Sequence, residues 1–501
     1  MPAAKPKLIM ISPCDSVAVA TEPLSKGGTY TVGSISVTLA DDIPFAHKVA
    51  VRDIKKGENV IKYANPIGRA AADIKKGEHV HVHNLKTNLS GLLEYKYEPD
   101  TACFEAFKSR EEATFEGYVR SDGSVGTRNE LWIIPTVGCV NTTATTVERM
   151  AREKYPDFFD GIWAYPHPHG CSQLGEDHET MQHVLRGLIR HPNAGGVLVL
   201  SLGCENNCLE NFRPVLGDID EKRVKFLVTQ DVEDEYESAM ALIDELVENM
   251  KNDRRTAVSA SKLVLGFKCG ASDAFSGVTA NVLCGRVTDY IVRHGGSSIL
   301  TEVPEMFGAE TLLMRRAANE EVFSQIVALI NDFKTYFTRY NQTIYENPSP
   351  GNKKGGITTL EEKSLGCTQK GGTAPVAGVL EIGSPVKNKG LNLLTGPGND
   401  LVSLTNVIAS GAQIVLFTTG RGNPLGGAVP TIKISSNTPL YERKKHWIDF
   451  NAGVILDGKS FDDVTESFFS YILDVASGRI KTRNELNGYK DIGIFKDGVT
   501  L

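Results

Sequence analysis

Val197-Leu-Val-Leu-Ser-Leu-Gly-Cys204 is an apolar run that stops on a thiol, and three other stretches share that ending. They are Leu131-Trp-Ile-Ile-Pro-Thr-Val-Gly-Cys139, the run from Gly161-Ile-Trp-Ala-Tyr to His-Gly-Cys171, and Leu263-Val-Leu-Gly-Phe-Lys-Cys269. Continuous apolar runs alternating with helical periodicity are the rhythm of parallel strands buried under helices, so the chain from Glu130 onward is expected to be α/β. Each run delivers a cysteine to a strand's carboxyl end, where open α/β sheets form their ligand crevice. Thiols converging there would suit iron, zinc or an iron–sulfur cluster, and three thiols rather than four would leave one metal position open to a substrate oxygen. Plain burial is the competing reading, since free cysteine is among the most buried residue types. No CxxC spacing occurs, and Cys204-Glu-Asn-Asn-Cys208 is the only close pair. The loops His167-Pro-His169-Gly-Cys171-Ser-Gln173 and Cys269-Gly-Ala-Ser-Asp273 add imidazoles, hydroxyl and carboxylate suited to acid–base work.

Upstream, Arg52-Asp-Ile-Lys-Lys-Gly-Glu-Asn-Val is repeated as Ala72-Asp-Ile-Lys-Lys-Gly-Glu-His-Val. Two similar β-hairpins are expected within a small all-β module covering residues 1–95. The second copy runs into His79-Val-His81-Val-His83, where period-two alternation would send three imidazoles to one face. Such a stripe, with His47-Lys48 upstream, can bind a divalent metal or a carboxylate; a solvated polar edge is the alternative. The opening MPAAKPKLIMISPCDSVAVA imitates a signal peptide, but Pro13 and Asp15 interrupt it and a first strand is expected. Residues 96–114 lack periodicity and read as a linker.

A Pro/Gly-rich stretch, Asn347-Pro-Ser-Pro-Gly-Asn-Lys-Lys-Gly-Gly356, marks a further expected boundary, dividing a central α/β domain (115–345) from a C-terminal α/β domain (346–501). The latter carries Glu361-Glu362-Lys363-Ser-Leu-Gly-Cys367-Thr-Gln-Lys370, Thr395-Gly-Pro-Gly-Asn-Asp400 and Phe417-Thr-Thr-Gly-Arg-Gly-Asn-Pro-Leu-Gly-Gly427. No GxGxxG opens a βα unit and no GxxxxGK[ST] occurs, so dinucleotide and P-loop readings lack support. Glycine loops let backbone N–H groups approach an anion, and Arg421 could clamp a carboxylate, although structural turns would look the same.

Composition narrows the partners. Across 501 residues, 54 Lys and Arg stand against 61 Asp and Glu, a formal −7 that argues against nucleic acid. No apolar run approaches bilayer length, so no membrane partner is expected. Nine cysteines, an odd number, fit reduced thiols or a metal centre in the cytoplasm better than a disulfide framework. Thiols, imidazoles and anion-friendly loops together point to Lewis-acid chemistry on a small polar acid, with hydration or dehydration of a hydroxy acid fitting best.

Gly117-Tyr-Val-Arg-Ser-Asp-Gly-Ser-Val-Gly-Thr-Arg-Asn129, Gly203-Cys-Glu-Asn206, Cys269-Gly-Ala-Ser-Asp-Ala-Phe-Ser-Gly-Val-Thr-Ala-Asn281 and Asn347-Pro-Ser-Pro-Gly-Asn-Lys353 resemble the altronate/galactarate dehydratases over nearly the whole chain. Thr136-Val-Gly-Cys-Val-Asn141, Glu302-Val-Pro-Glu-Met-Phe-Gly-Ala-Glu310 and Lys444-Lys-His-Trp-Ile-Asp-Phe450 are most similar to the altronate-acting members. The resemblance implies an N-terminal SAF-type (β-clip) module, followed by two α/β domains with largely parallel sheets. It also implies iron-dependent removal of water from D-altronate to give 2-dehydro-3-deoxy-D-gluconate in hexuronate breakdown. Galactarate or a sulfonated hydroxy acid is the alternative substrate, and a non-catalytic sugar-acid binder the remote one. On this reading Cys171, Cys204 and Cys269, with Cys139 as a fourth, hold Fe2+ or an iron–sulfur cluster with an open iron. His47, Lys48, His81, His83 and His169 serve as catalytic groups. Arg128, Asp273, Lys353 and Arg421 hold the substrate, and the partners expected are a small sugar acid and further copies of the chain.

Overall fold

The computed structural model describes residues 6–105, 107 and 112–501. Residues 1–5 of the signal-like opening, and 106 and 108–111 of the expected linker, lie outside them. Among the described residues no helix is long and apolar enough to cross a membrane.

The N-terminal module is all-β. Strands Leu8–Ile9, Val17–Ala20, Lys48–Ala50 and His79–Val80 form one antiparallel sheet. The expected single opening strand is therefore two, because Asp15 folds the chain back by accepting from the Ser12 amide at 3.0 Å. The sequence repeat becomes a pair of reciprocal turns. Ile54 and Ile74 exchange both backbone bonds at 2.8 Å, Asp53 accepts from the Lys76 amide at 2.9 Å, and Asp73 accepts from the Lys56 amide at 2.8 Å. Each copy's carboxylate thus satisfies the other's turn, which is why the motif occurs twice.

The strands of the two parallel sheets are numbered β1–β11. The first sheet comprises β1 (Glu130–Pro135), β2 (Ile162–Ala164), β3 (Ala194–Ser201) and β4 (Val224–Val228), ordered β2-β1-β3-β4. The second comprises β5 (Val264–Cys269), β6 (Ser297–Leu300), β7 (Val376–Leu380), β8 (Gly390–Leu394), β9 (Ile414–Thr419), β10 (Thr431–Ser435) and β11 (Phe450–Asn451). Its order is β7-β8-β6-β5-β9-β10-β11, with every pairing parallel. This overturns the expected boundary at 345/346: β5 and β6, assigned to the central domain, pair with β8 and β9 from beyond it. The Pro/Gly-rich stretch there is a loop inside one α/β body.

Helices close both faces. Helix α1 (Asn141–Lys154) and α3 (Glu235–Met250) cover one face of the first sheet, and α2 (Gly175–Ile189) lies between the two sheets. Helices α4 (Ala280–Arg293) and α8 (Phe461–Ala476) cover one face of the second sheet, and α5 (Glu320–Arg339) packs over β7. The shared layer joins Trp132, Val197 and Val199 to Ile299 and Val415 through α2 and α7 (Asp400–Ala409). Strands β1, β3 and β9 are buried along their whole length, which explains their unbroken apolar runs. Truncating a fully buried core side chain such as Phe267 to Ala should cost roughly 3–5 kcal/mol.

Candidate active site

The helix α6 (Leu360–Cys367) sits where the β module meets the second sheet, and all eight of its residues are buried. Thr359 caps it by accepting from the Glu362 amide, and Glu361 and Glu362 occupy the first turn, where a helix favours carboxylates. Successive side chains then tie three parts of the molecule together. Glu361 accepts from Thr87 Oγ1 at 2.8 Å and from the Asn88 amide at 2.6 Å. Glu362 accepts from Lys48 Nζ at 2.9 Å, Lys62 Nζ at 2.8 Å, and the Thr358 amide and hydroxyl at 2.9 and 2.6 Å. Lys363 pairs with Glu305 at 2.7 Å, and Cys367 Sγ donates to Glu305 Oε2 at 3.0 Å.

Charge in this junction is tightly matched. Burial alone would raise the Glu362 carboxyl, but Lys48 and Lys62 outweigh it and hold it well below its ordinary value. Burial lowers Lys48 to about 8, Glu362 pulling against it and Lys62 pushing with it. For Lys62 burial is again the largest influence, yet Glu362 and the Tyr63 phenol more than offset it and raise the ammonium.

Beside Lys48 four histidines gather. His47 Nδ1 meets His79 Nε2 at 3.0 Å, and His47 Nε2 meets the Lys354 carbonyl at 3.3 Å. Ring centroids lie 4.6 Å apart for His47 and His81, and 5.5 Å apart for His79 with each of His81 and His83. One nitrogen from each of His47, His79 and His81 falls within 4.8 Å of the others. These rings do not gather by the strand alternation expected for residues 79–83. The strand stops at Val80 and the chain turns, with Asn84 accepting from the His81 amide at 3.0 Å, yet the rings still gather. Burial, then neighbouring cations and imidazoles, lowers His79 to about 4 and His81 to about 3, and His47 is lowered chiefly by burial. All three are therefore neutral near pH 7, the form that ligates metal, and His81 Nδ1 is buried without a hydrogen-bond partner. These residues fit a divalent ion of borderline softness such as ferrous iron. His83 is exposed at the edge of the group.

A cleft of about 510 Å³ opens next to this cluster, lined by Phe45, Ala46, Asp273, Lys354, Gly355 and Arg421 among others. Gly356 holds the junction, since at φ +91° a Cβ there would come within 2.1 Å of the Ala46 carbonyl oxygen. The exposed Arg421 donates to the Gly351 carbonyl at 2.8 Å, leaving most of its guanidinium free. Asp273 is differently occupied: its carboxylate accepts from the Ser276 amide and hydroxyl, Ser436 Oγ and Asn437 Nδ2, between 2.8 and 3.0 Å. Burial raises its carboxyl even so.

A second cavity, about 630 Å³, lies at the carboxyl ends of the seven-stranded sheet, lined by Cys269, Glu305, Asn352, Lys363, Asn399 and Asp400 among others. The loops after β5, β6, β8 and β9 meet there, as expected for an open parallel sheet. At its floor Cys269 Sγ lies 2.9 Å from Glu305 Oε2 and 3.5 Å from Cys367 Sγ. Around them Lys268 pairs with the buried Glu302, and Lys370 stands 3.7 Å from the same carboxylate. Glu302 adopts a left-handed backbone at φ +69°, a strain that concentrates at functional sites. These lysines already neutralise the carboxylates, so this donor set has less need of a metal than the imidazoles.

The proposed iron ligands divide between the two sheets. Cys139, Cys171 and Cys204 end neighbouring strands of the first sheet, all exposed, on loops tied by Gly138 N–H to the His169 carbonyl at 2.8 Å and Asn207 N–H to the Gly170 carbonyl at 3.0 Å. Cys269 ends a strand of the other sheet, beside Cys367 and Glu305. Among the described residues, no group of three ligand atoms within 4.8 Å includes Cys139, Cys171 or Cys204. The alternation of strands and helices could not reveal that β5 opens a new sheet. Arg128, expected to hold substrate, is instead a buried structural residue. It is fully buried, pairs with Glu485 through Nε at 2.6 Å and Nη2 at 3.0 Å, and spends its other donors on the Thr127, Val475 and Ile480 carbonyls, so none remains for substrate. His169 lies on the Cys171 loop rather than with His47, and Lys353 is partly buried in the last turn of the short helix Pro350–Lys354. Lys62, Glu305, Glu362 and Cys367 had no assigned role from sequence, although Glu302–Glu310 and Glu361–Lys370 already stood out as motifs.

Comparison with known proteins agrees with this layout. Residues 6–88 match the altronate/galactarate dehydratase SAF domain, residues 117–251 the D-galactarate dehydratase/altronate hydrolase second domain, and residues 260–500 the D-galactarate/altronate dehydratase C-terminal domain. The chain is 53% identical over 496 residues to the altronate dehydratase of Bacillus subtilis (strain 168), covering 98% of this chain and 99% of that enzyme. It is 50% identical over 495 residues to the altronate dehydratase of Escherichia coli (strain K12), covering 98% and 99%. Similarity to the galactarate dehydratase (L-threo-forming) of E. coli (strain K12) is 33% over 506 residues, covering 97% and 96%. Matched in all three segments and along nearly its whole length, the chain belongs to the altronate/galactarate dehydratase family.

Proposed function

We propose that the protein is an altronate dehydratase, a hydro-lyase that removes water from D-altronate to give 2-dehydro-3-deoxy-D-gluconate. The observation that carries the site assignment is the convergence of one ring nitrogen from each of His47, His79 and His81 beside a cleft rimmed by Arg421. Those three imidazoles would hold ferrous iron, which when bound supplies Lewis-acid polarisation of an oxygen. Arg421 draws the substrate carboxylate into the cleft by paired N–H donors. Asp273 holds the loop from Asp273 to Ser276 and, through Asn437, the Gly420 carbonyl beside Arg421, so it shapes the cleft without contacting substrate. Burial keeps the imidazoles from protonating, and the Lys48 ammonium beside them adds to that effect. His83, exposed beside His79, is the imidazole free to move a proton at the α carbon. Nine cysteines support the reducing cytoplasm as the place of action.

Chelation should abolish keto-acid formation from D-altronate, and ferrous iron under anaerobic conditions should restore it. His81→Ala should lose iron and activity together while its circular dichroism stays native. Activity that survives both chelation and His81→Ala would overturn the assignment, and faster turnover of galactarate or a sulfonated hydroxy acid would overturn the substrate. One observation favours a second reading of the iron: the loops of Cys139, Cys171 and Cys204 are bonded together at the ends of adjacent strands. An iron–sulfur cluster would bind each thiolate through a different iron, leaving one iron open. Visible absorption lost in Cys171→Ser but kept in His81→Ala would select it.

A further inference from the structure

The buried thiols of Cys269 and Cys367 have no part in the chemistry proposed above, although Cys269 forms the floor of the cavity of about 630 Å³. They come from distant parts of the chain, the end of β5 and the end of α6. Their sulfurs are 3.5 Å apart, and both reach the same oxygen of Glu305. A disulfide spans about 2.05 Å, so bonding needs each sulfur to move only ~0.7 Å. Three lysines surround the pair. Lys363 bonds to Glu305, Lys268 to Glu302 and the Cys269 carbonyl, and Lys370 completes the ring. The Cys367 thiol, within donating distance of Cys269 Sγ at 3.5 Å, favours a thiolate there, the reactive form of cysteine, with Lys370 and Lys268 adding to it and burial and Glu305 opposing. Cys269 faces the cavity and Cys367 sits behind it, which places an attacking sulfur and a resolving one in order.

We propose that Cys269 and Cys367 are a peroxide-reactive pair that closes to a reversible disulfide. The Cys269 thiolate attacks one oxygen of hydrogen peroxide, the O–O bond breaks, and the departing hydroxide takes the proton that Cys269 gave up on ionising and becomes water. Cys269 is then a sulfenic acid. Cys367 gives its proton to the Glu305 carboxylate it already touches and attacks Cys269 Sγ, and the S–O bond breaks as hydroxide leaves to collect that proton. Peroxide is reduced to two waters while two thiols become one disulfide. Closure draws both sulfurs away from Glu305 and pulls on the end of α6, the helix that carries Glu362 to Lys48.

The test treats the full-length protein with a small molar excess of hydrogen peroxide, alkylates free thiols, and maps peptides without reductant. The expected result is one species joining the Cys269 and Cys367 peptides with the loss of two hydrogens, returning to two alkylated peptides after dithiothreitol. In Cys367→Ala that species is absent and Cys269 is trapped by dimedone as the sulfenic acid. Cys269 and Cys367 recovered separately alkylated in the wild type, or cross-links confined to the exposed Cys14, Cys139, Cys171 and Cys204, overturn the proposal. The mapping reads the bond itself, so its failure is distinct from any failure of the altronate assignment.

Discussion

Replacing Glu362 by Gln removes the single negative charge held between two buried ammonium groups, and the structure sets the size of the penalty. Lys48 and Lys62 are both inaccessible to solvent and both bond to this carboxylate. Removing one partner of a buried ion pair typically costs about 3–5 kcal/mol, because the remaining charge is left uncompensated. Here two charges are left, and a Gln amide can accept from one lysine only while presenting N–H groups to the other. The wild type already carries part of this burden. Lys48 lies at about 8 against ~10.4 for an unfolded lysine, which works against the folded state at neutral pH, whereas the same contacts raise Lys62 and lower Glu362 in its favour. The sign follows from proton counting. Between those two values the unfolded chain binds more protons than the folded one, so stability rises with pH through that window. Glu362→Gln should therefore lose ~3–5 kcal/mol at pH 7.5, and less at pH 10 as the lysines shed their protons. Lys48→Met added to it should return about half, since one ammonium then remains. Urea denaturation at the two pH values, with hydrogen exchange at residues 48–50 and 60–62 to localise the opening, measures this. A loss under 1 kcal/mol, or one that grows with pH, would refute the charge-matching argument.

Other variants separate binding from scaffold. Arg421→Ala should raise KM for altronate by roughly 10- to 100-fold, with a smaller change in kcat, if the guanidinium holds the carboxylate in ground and transition state alike. Arg128→Met should cost ~3–5 kcal/mol by stranding Glu485, yet leave KM unchanged in whatever fraction folds; a raised KM would return Arg128 to the binding site. Ferrous-iron binding by the apoprotein should be flat from pH 6 to 8, since His79 and His81 take up protons only near 4 and 3, and should weaken as pH falls toward those values. A midpoint near pH 6.5 by calorimetry would show that the imidazoles are not desolvated as the structure requires.

The sequence displayed the β module through its repeat, because reciprocal turns require the same Asp-Ile-Lys-Lys-Gly-Glu chemistry twice. It displayed the parallel sheets through unbroken runs such as Val197–Ser201, because strands covered on both faces have no polar side to alternate. Sheet membership was not legible. Val264–Cys269 looks like Val197–Cys204 locally, and only the long-range pairings with Ser297–Leu300 and Ile414–Thr419 place it in a second sheet. For that reason four strand-end cysteines suggested one thiol site where the fold puts three at the ends of adjacent strands of one sheet and the fourth in the other sheet. The histidines were legible as a group because their neighbours in sequence remain neighbours in space. Glu362 and Cys367 were hidden, since their partners Lys48 and Cys269 lie 314 and 98 residues away and nothing short-range links them.

X-ray absorption at the iron edge of anaerobically loaded enzyme tests the central claim most directly. The account predicts a first shell of nitrogen and oxygen only, with the outer-shell scattering of imidazole rings, lost in His81→Ala. Sulfur in the first shell, unchanged by His81→Ala, would contradict it.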